Sequence, residues 1–343
     1  MPEHSLRTGS SDTYLLSLAH YSAGGRHGHS PEATRRSGRE RHALGMDALV
    51  EVSGLTKRYG DTLAVDGVDL TVLPGEVYGF LGPNGAGKTT TLRILTGLIA
   101  PTSGSVRVLG GKPGQSDVLG RTGSMIESPA FYPYLSGLDN LRLLAEYAGV
   151  ARQRIDEVLE LVDLADRAKD RFSTYSLGMK QRLGVAAALL KDPELVILDE
   201  PTNGLDPAGM RDMRRLIREL GTGGRTVLLS SHLLGEVQQI CDRVGIINSG
   251  RMVAEHNVDE LRGEQELVVR ADPKDQAQTI LARFGSVHQY DDTLRVAVDP
   301  ARAAEVNSVL VGAGIAVSEL HMTERALEDI FFELTTEEKA DVG

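Results

Sequence analysis

The stretch "GPNGAGKTT", Gly82 to Thr90, constrains the fold more than any other part of this 343-residue chain. It matches the phosphate-loop pattern G-x-x-x-x-G-K-[ST] with Gly82, Gly87, Lys88 and Thr89 in register, after a strand-like "EVYGFLG" and before a helical "KTTTLRILTGL". Glycines are needed there because backbone N–H groups must approach phosphate oxygens where a Cβ would collide. The helix N-terminus adds favourable partial charge. Asn84, Gly85 and Thr90 belong to the same cradle, Lys88 reaches the β and γ phosphates, and Thr89 offers a hydroxyl to Mg²⁺.

A strand, loop and helix of this kind sit in an α/β sheet whose parallel strands are buried on both faces. From Asp47 to about Gly263, short apolar strands do alternate with helical patterns, the further strands being "LVILDE", "TVLLSS" and "RVGIIN". Two helical stretches within Gly137 to Asp170 form an insert, the helical part running over about 128–180. After Gly263 the order becomes strand, helix, strand, strand, helix, strand, which predicts a small α+β domain of ferredoxin-like arrangement over 264–343. A last helix, "ERALEDIFFELT", follows with Ala326, Ile330 and Leu334 on one face. Residues 1–46 are rich in Ser, Gly, Arg and His without a sustained apolar period, and read as a disordered tail.

Composition removes whole classes of function. A net charge of -11 argues against a general nucleic-acid binder, which needs clustered Lys and Arg for phosphates. The longest apolar runs, such as "VAAALL", fall far short of the roughly 20 residues of a spanning helix. "YLLSLA" is too short for a signal-peptide core. The single Cys241 forms no intramolecular disulfide and reads as a small apolar residue in "ICDRV".

The apolar strand "LVILDE" closes on two acids, and an acid pair there is costly to bury without a partner. Asp199 stands where the second protein contact to a phosphate-bound Mg²⁺ is expected. Glu200 beside it projects differently and is the candidate general base for an attacking water. Together they favour an ATPase over a kinase.

Upstream of this pair, "TYSLGMKQRLG" is similar to the signature of the ATP-binding cassette family: Ser176 and Gly178 match "LSGGQ", while Tyr175, Leu177 and Met179 depart from it. The remaining family features follow in order over Val50 to about Gly263. They are Tyr59 in "KRYGD" as the adenine-stacking aromatic, Asp206 in "TNGLDP" and His232 in "SSHLL". The resemblance implies a P-loop cassette with a helical signature subdomain, ATP and Mg²⁺ as cofactors, and catalytic roles for Glu200 and His232. It also implies a head-to-tail dimer in which Ser176 and Gly178 face the partner's ATP. Glu127, where many cassettes have Gln, and Asp206 are carried over as sensors.

"IESPAFYPYLSGLDNLRLLA" and "ALEDIFFELT" resemble the bacterial branch that exports antibiotics and bacteriocins, of the daunorubicin- and bacitracin-resistance kind. That implies a separately encoded permease of about six helices, with this chain peripheral on the cytoplasmic face of the inner membrane. The C-terminal domain is then regulatory or dimerising. The rival expectations are a soluble regulatory cassette ATPase without a permease, a translation factor, which usually fuses two cassettes, and a chromosome-maintenance ATPase, which splits its cassette with coiled coil.

Overall fold

The computed structural model describes residues 47–259, 265–290 and 292–324, and the tail over 1–46 and the terminal "ERALEDIFFELT" helix expected from the sequence lie outside them. Two compact units divide between Glu255 and His256, ahead of the break at Gly263 read from the sequence.

The first unit holds two sheets. β1 (Val50–Tyr59) pairs antiparallel with β2 (Thr62–Val72) on one side and with β4 (Ser103–Val108) on the other. The larger sheet runs in the order β5-β6-β7-β3-β8-β9, comprising β5 (Thr122–Met125), β6 (Leu195–Asp199), β7 (Thr226–Ser231), β3 (Val77–Leu81), β8 (Arg243–Asn248) and β9 (Arg251–Asn257). From β5 to β8 its neighbours are all parallel. Every residue of β3, β6 and β7 is buried, as strands covered on both faces must be. Parallel strands with neighbours out of chain order carry their loops on one sheet edge, so the ends of β3, β6 and β7 converge there.

The helices follow from simple patterns. α1 (Lys88–Leu95) starts directly after the glycine loop and buries Leu92 and Leu95 in the core shared with β1 and β2. A short α2 (Ser116–Arg121) leads into β5. The helical insert supplies α3 (Gly137–Ala148), which starts from the cap Ser136, and α4 (Gln153–Leu161). α5 (Leu177–Leu189) is buried along most of its length, and a Cβ at its Gly184 would lie 2.6 Å from Met125 Sδ, so the helix packs closely on β5. α6 (Pro207–Thr222) is amphipathic, with Met213, Leu216, Ile217 and Leu220 inward at helical spacing. α7 (Leu234–Ile240) follows β7. Cys241 is buried beside β3, where a Cβ on Gly79 would meet its sulfur at 2.9 Å, and burial pushes its thiol well above the usual range.

In the second unit the element order is βαββαβ, as the sequence pattern reads. β10 (Gln265–Asp272), α8 (Lys274–Leu281), β11 (Val287–Tyr290), β12 (Thr293–Ala297), α9 (Ala303–Gly312) and β13 (Ala316–Glu324) form an antiparallel sheet ordered β11-β12-β10-β13. Leu267, Val269, Leu294 and Val296 point at period two into a core with Ala277 and Leu281 of α8 and Val306 and Leu310 of α9. α9 is preceded by a 3₁₀ turn at Pro300–Arg302, where Asp299 caps the chain through the Ala301 N–H.

Candidate nucleotide site

The glycine loop joins the end of β3 to the start of α1. The Gly82 N–H donates to the Ser231 carbonyl at 3.2 Å, which ties the loop to the end of β7. A Cβ at Gly82 would lie 2.3 Å from the Ile247 carbonyl oxygen, and at Gly87, where φ is +105°, 2.5 Å from that of Ala64. Both positions therefore require glycine. Gly85, with φ +82°, meets nothing within 4 Å, so its requirement is backbone freedom alone.

α1 begins at Gly87 without a side-chain cap and without an acid in its first turn. Its first turn bond runs from the Thr91 N–H to the Gly87 carbonyl, so the N–H groups of Lys88, Thr89 and Thr90 have no acceptor within the helix. Orphaned donors at a helix start that follows a glycine-rich loop fit an anion such as a triphosphate. The donor set passes the same test for a hard divalent cation, which prefers oxygen: the Thr89 hydroxyl stands in this turn and the Asp199 carboxylate ends β6.

Around this helix end the charged side chains are tightly placed. Lys88 is buried and donates from Nζ to the carbonyls of Gly82 at 2.6 Å and Pro83 at 3.2 Å. The same Nζ lies 3.1 Å from Glu200 Oε1, and Glu200 Oε2 lies 2.7 Å from His232 Nδ1. An ionised carboxylate only accepts, so a hydrogen bond across this contact requires the His232 proton on Nδ1. Ser230 spans the two acids: its hydroxyl donates to Asp199 Oδ1 at 2.6 Å and accepts the Glu200 N–H at 2.9 Å. Glu200 itself holds φ +48°, a left-handed conformation uncommon for a residue with a side chain. The adjacent carboxylates have separate side-chain partners, Ser230 for Asp199 and Lys88 and His232 for Glu200.

The remaining residues read from the sequence lie in other places. Tyr59 ends β1 with 45% of its surface exposed, and Lys57 Nζ sits 4.9 Å from its ring centroid. Ser176 caps α5 by accepting the Met179 N–H at 3.3 Å, which leaves the hydroxyl proton as its donor. Gly178 and Leu177 lie beside Leu205 and Gly204, so the start of α5 and the turn before Asp206 are neighbours. Asp206 caps α6 through the Gly209 N–H at 2.8 Å, a local job that sequence reading did not assign to it. Glu127 is half exposed, with φ +65°, and pairs with Arg93 of α1.

One departure from the signature gains a physical reason. Tyr175 is buried against Phe172, donates its hydroxyl to the Arg167 carbonyl at 2.8 Å, and is pushed above the usual phenol range by burial. It fills space that only a glycine at position 137 permits, since a Cβ there would lie 2.2 Å from the Tyr175 oxygen. Ser230, Arg93 and Glu236, by contrast, were not singled out from the sequence. The buried serines ending the otherwise apolar "TVLLSS" were the one available signal for the first of them.

The ABC transporter family model matches residues 65–203. A bacitracin transport ATP-binding protein of Bacillus licheniformis is 42% identical over 299 residues, 84% of this chain and 98% of the relative. A lantibiotic transport ATP-binding protein of Streptococcus pyogenes is 40% identical over 219 residues, 64% of this chain and 95% of the relative. A solved dimeric ATP-binding cassette, in a post-hydrolysis state bound to ADP and Pi, matches with a TM-score of 0.55 at 26% identity, covering 61% of this chain and 98% of that one. With a relative matched over 98% of its length at that identity and the family model matching within it, the chain belongs to the ATP-binding cassette transporter family and is an ATPase.

Proposed function

We propose that this chain is the ATP-binding and ATP-hydrolysing subunit of a bacterial exporter of an antibiotic or peptide, working with a separately encoded permease of about six helices. The observation that carries the hydrolytic part is the cluster of Lys88, Glu200 and His232 at the bare start of α1. The export part rests on the names of the bacitracin and lantibiotic transport relatives. No helix among the described residues is long and apolar enough to cross a membrane, which fits a chain that meets the bilayer through a partner.

In this reading the N–H groups of Gly85, Gly87, Lys88, Thr89 and Thr90, with Asn84 of the loop, hold the phosphates, and Lys88 exchanges its carbonyl partners for the β and γ oxygens. Tyr59 stacks on the adenine. Mg²⁺ would be held by Thr89 and Asp199 and would neutralise charge on the phosphates. Glu200 accepts a proton from the attacking water, and His232 fixes that carboxylate through Nδ1. Ser176 and the start of α5, Gly178 included, face the γ-phosphate held by a second copy, a geometry supported by the dimeric relative. Because ADP lacks the γ-phosphate, nucleotide state biases closed against open dimers, and that bias moves the permease. Glu127 and Asp206 report the state of the site. The βαββαβ unit, of ferredoxin-like arrangement, regulates or stabilises the dimer and supplies no catalytic group.

Glu200→Gln tests the mechanism: ATP binding is retained, turnover falls by on the order of a hundredfold or more, and the protein elutes as a dimer with ATP and Mg²⁺. Wild-type turnover in that variant removes Glu200 as base. Pull-down of the intact chain from its host's membranes tests the partner. Recovery without any integral membrane protein favours the regulatory ATPase.

A further inference from the structure

A second carboxylate lies behind the Glu200–His232 contact. Glu236, in the first turn of α7, is only 4% exposed. Its Oε2 accepts a 2.6 Å bond from the hydroxyl of Thr202, two residues after Glu200. The same oxygen accepts at 3.2 Å from the hydroxyl of Ser231, the residue before His232, and that hydroxyl in turn accepts the Leu233 N–H at 2.9 Å. Thr202 and Ser231 are both buried. An acid in the first turn of a helix would be favourable fully exposed to water. Burial instead carries a desolvation cost, and the Oε1 atom has no hydrogen-bond partner among the described residues.

What that carboxylate does follows from which segments it joins. Glu200 holds a left-handed backbone, which persists only where surrounding structure over-determines it. The restraints are the Glu200 N–H to Ser230, the Asn203 N–H to the Glu200 carbonyl at 3.0 Å, and the bond from Thr202 to Glu236. Ser230 ties the turn to the end of β7 through the Glu200 N–H, and Glu236 adds a second tie, since its carboxylate also accepts from Ser231, next to His232. We infer that Glu236 is a positioning residue for hydrolysis, locking the Glu200 turn to the His232 strand end so that the 2.7 Å contact between those side chains is kept. Hydrogen bonds to a carboxylate in a water-poor interior are stiff, so loss of this one loosens the pair without altering the phosphate loop. The inference rests on Glu200 and His232 being the hydrolytic pair proposed above.

The test measures steady-state turnover and nucleotide affinity of the full chain for Glu236→Ala, Glu236→Gln, Thr202→Val and the double variant Glu236→Ala/Thr202→Val, with Glu200→Gln as reference. Glu236→Ala is expected to lower kcat on the order of ten- to a hundredfold, with nucleotide Kd within about twofold of wild type. Glu236→Gln recovers most of that loss, because its amide oxygen still accepts from Thr202. Thr202→Val, of the same shape, reproduces the loss, and the double variant adds little to either single one, as members of one network should. Wild-type kcat in Glu236→Ala, an equal loss in affinity, or additive losses in the double variant overturns the inference. If Glu236→Ala does not fold, Thr202→Val decides alone, and unchanged kcat there overturns it. Glu200→Gln reports separately on the underlying reading: full turnover in that variant sinks the hydrolytic pair itself, whatever the Glu236 variants show.

Discussion

The starts of α1 and α3 are built on opposite plans. α3 is closed by its own sequence: Ser136 accepts the Asp139 N–H at 3.0 Å and donates to the Asp139 carboxylate at 2.6 Å. α1 begins at a glycine with no cap, no first-turn acid and three N–H groups without helix acceptors. A cap is worth about 1 kcal/mol to a helix, so leaving one out at a structurally critical point has a cost that an anion can offset. α5 stands between the two, because Ser176 caps its helix as Ser136 does yet is exposed and keeps a proton to donate. One residue type at one position thus serves two purposes, and only the surroundings tell them apart.

The largest expected effect comes from giving α1 the cap it lacks. Gly87→Ser would place a Cβ 2.5 Å from the Ala64 oxygen at φ +105°, so we expect loss of nucleotide binding. Stability falls by about 1–3 kcal/mol, the usual cost of such backbone strain. If melting instead rises and ATP still binds, the bare start is merely a missing cap and the contrast with α3 collapses.

A paired measurement separates the two serine caps. Ser136→Ala and Ser176→Ala should each lose about 0.5–2 kcal/mol of stability. Only Ser176→Ala should also lower turnover, by roughly ten- to a hundredfold, the worth of a hydrogen bond to a charged group. Equal turnover in the two variants would reduce Ser176 to a structural cap.

The smallest effect is in the acid limb of stability. The Ser136 hydroxyl, and after it Arg142, hold the Asp139 carboxyl below the usual range. A depressed native pKa stabilises the fold above the unfolded value, about 3.9, and that contribution is lost as pH falls through the native value. The melting-temperature gap between wild type and Ser136→Ala should therefore narrow below about pH 4. A gap constant with pH would show that the serine acts only through the backbone N–H.

These contrasts also mark how much was legible in the chain itself. Local chemistry was: a phosphate loop needs glycines at set spacing beside Lys88, an apolar strand ends on Asp199 and Glu200, and βαββαβ follows from alternating periods. The two helices of the insert and the burial of Cys241 were read from the same kind of pattern. Exact helix ends were not legible: α8 stops at Leu281, since terminal turns are set by packing more than by period.

What the tertiary structure decided is every interaction whose partners are far apart in the chain. Glu127 is an acid in a loop until Arg93 of α1 meets it. Tyr175 looks like a departure from the signature until the space beside Gly137 is seen to hold it. Ser230 and Glu236 are unremarked polar residues until parallel strands bring Asp199, Glu200 and Thr202 beside them. The physical reason is the same in each case. Residue type and spacing carry information about groups within one turn or strand, whereas charges and hydroxyls acquire roles from neighbours that chain folding alone brings within 3 Å.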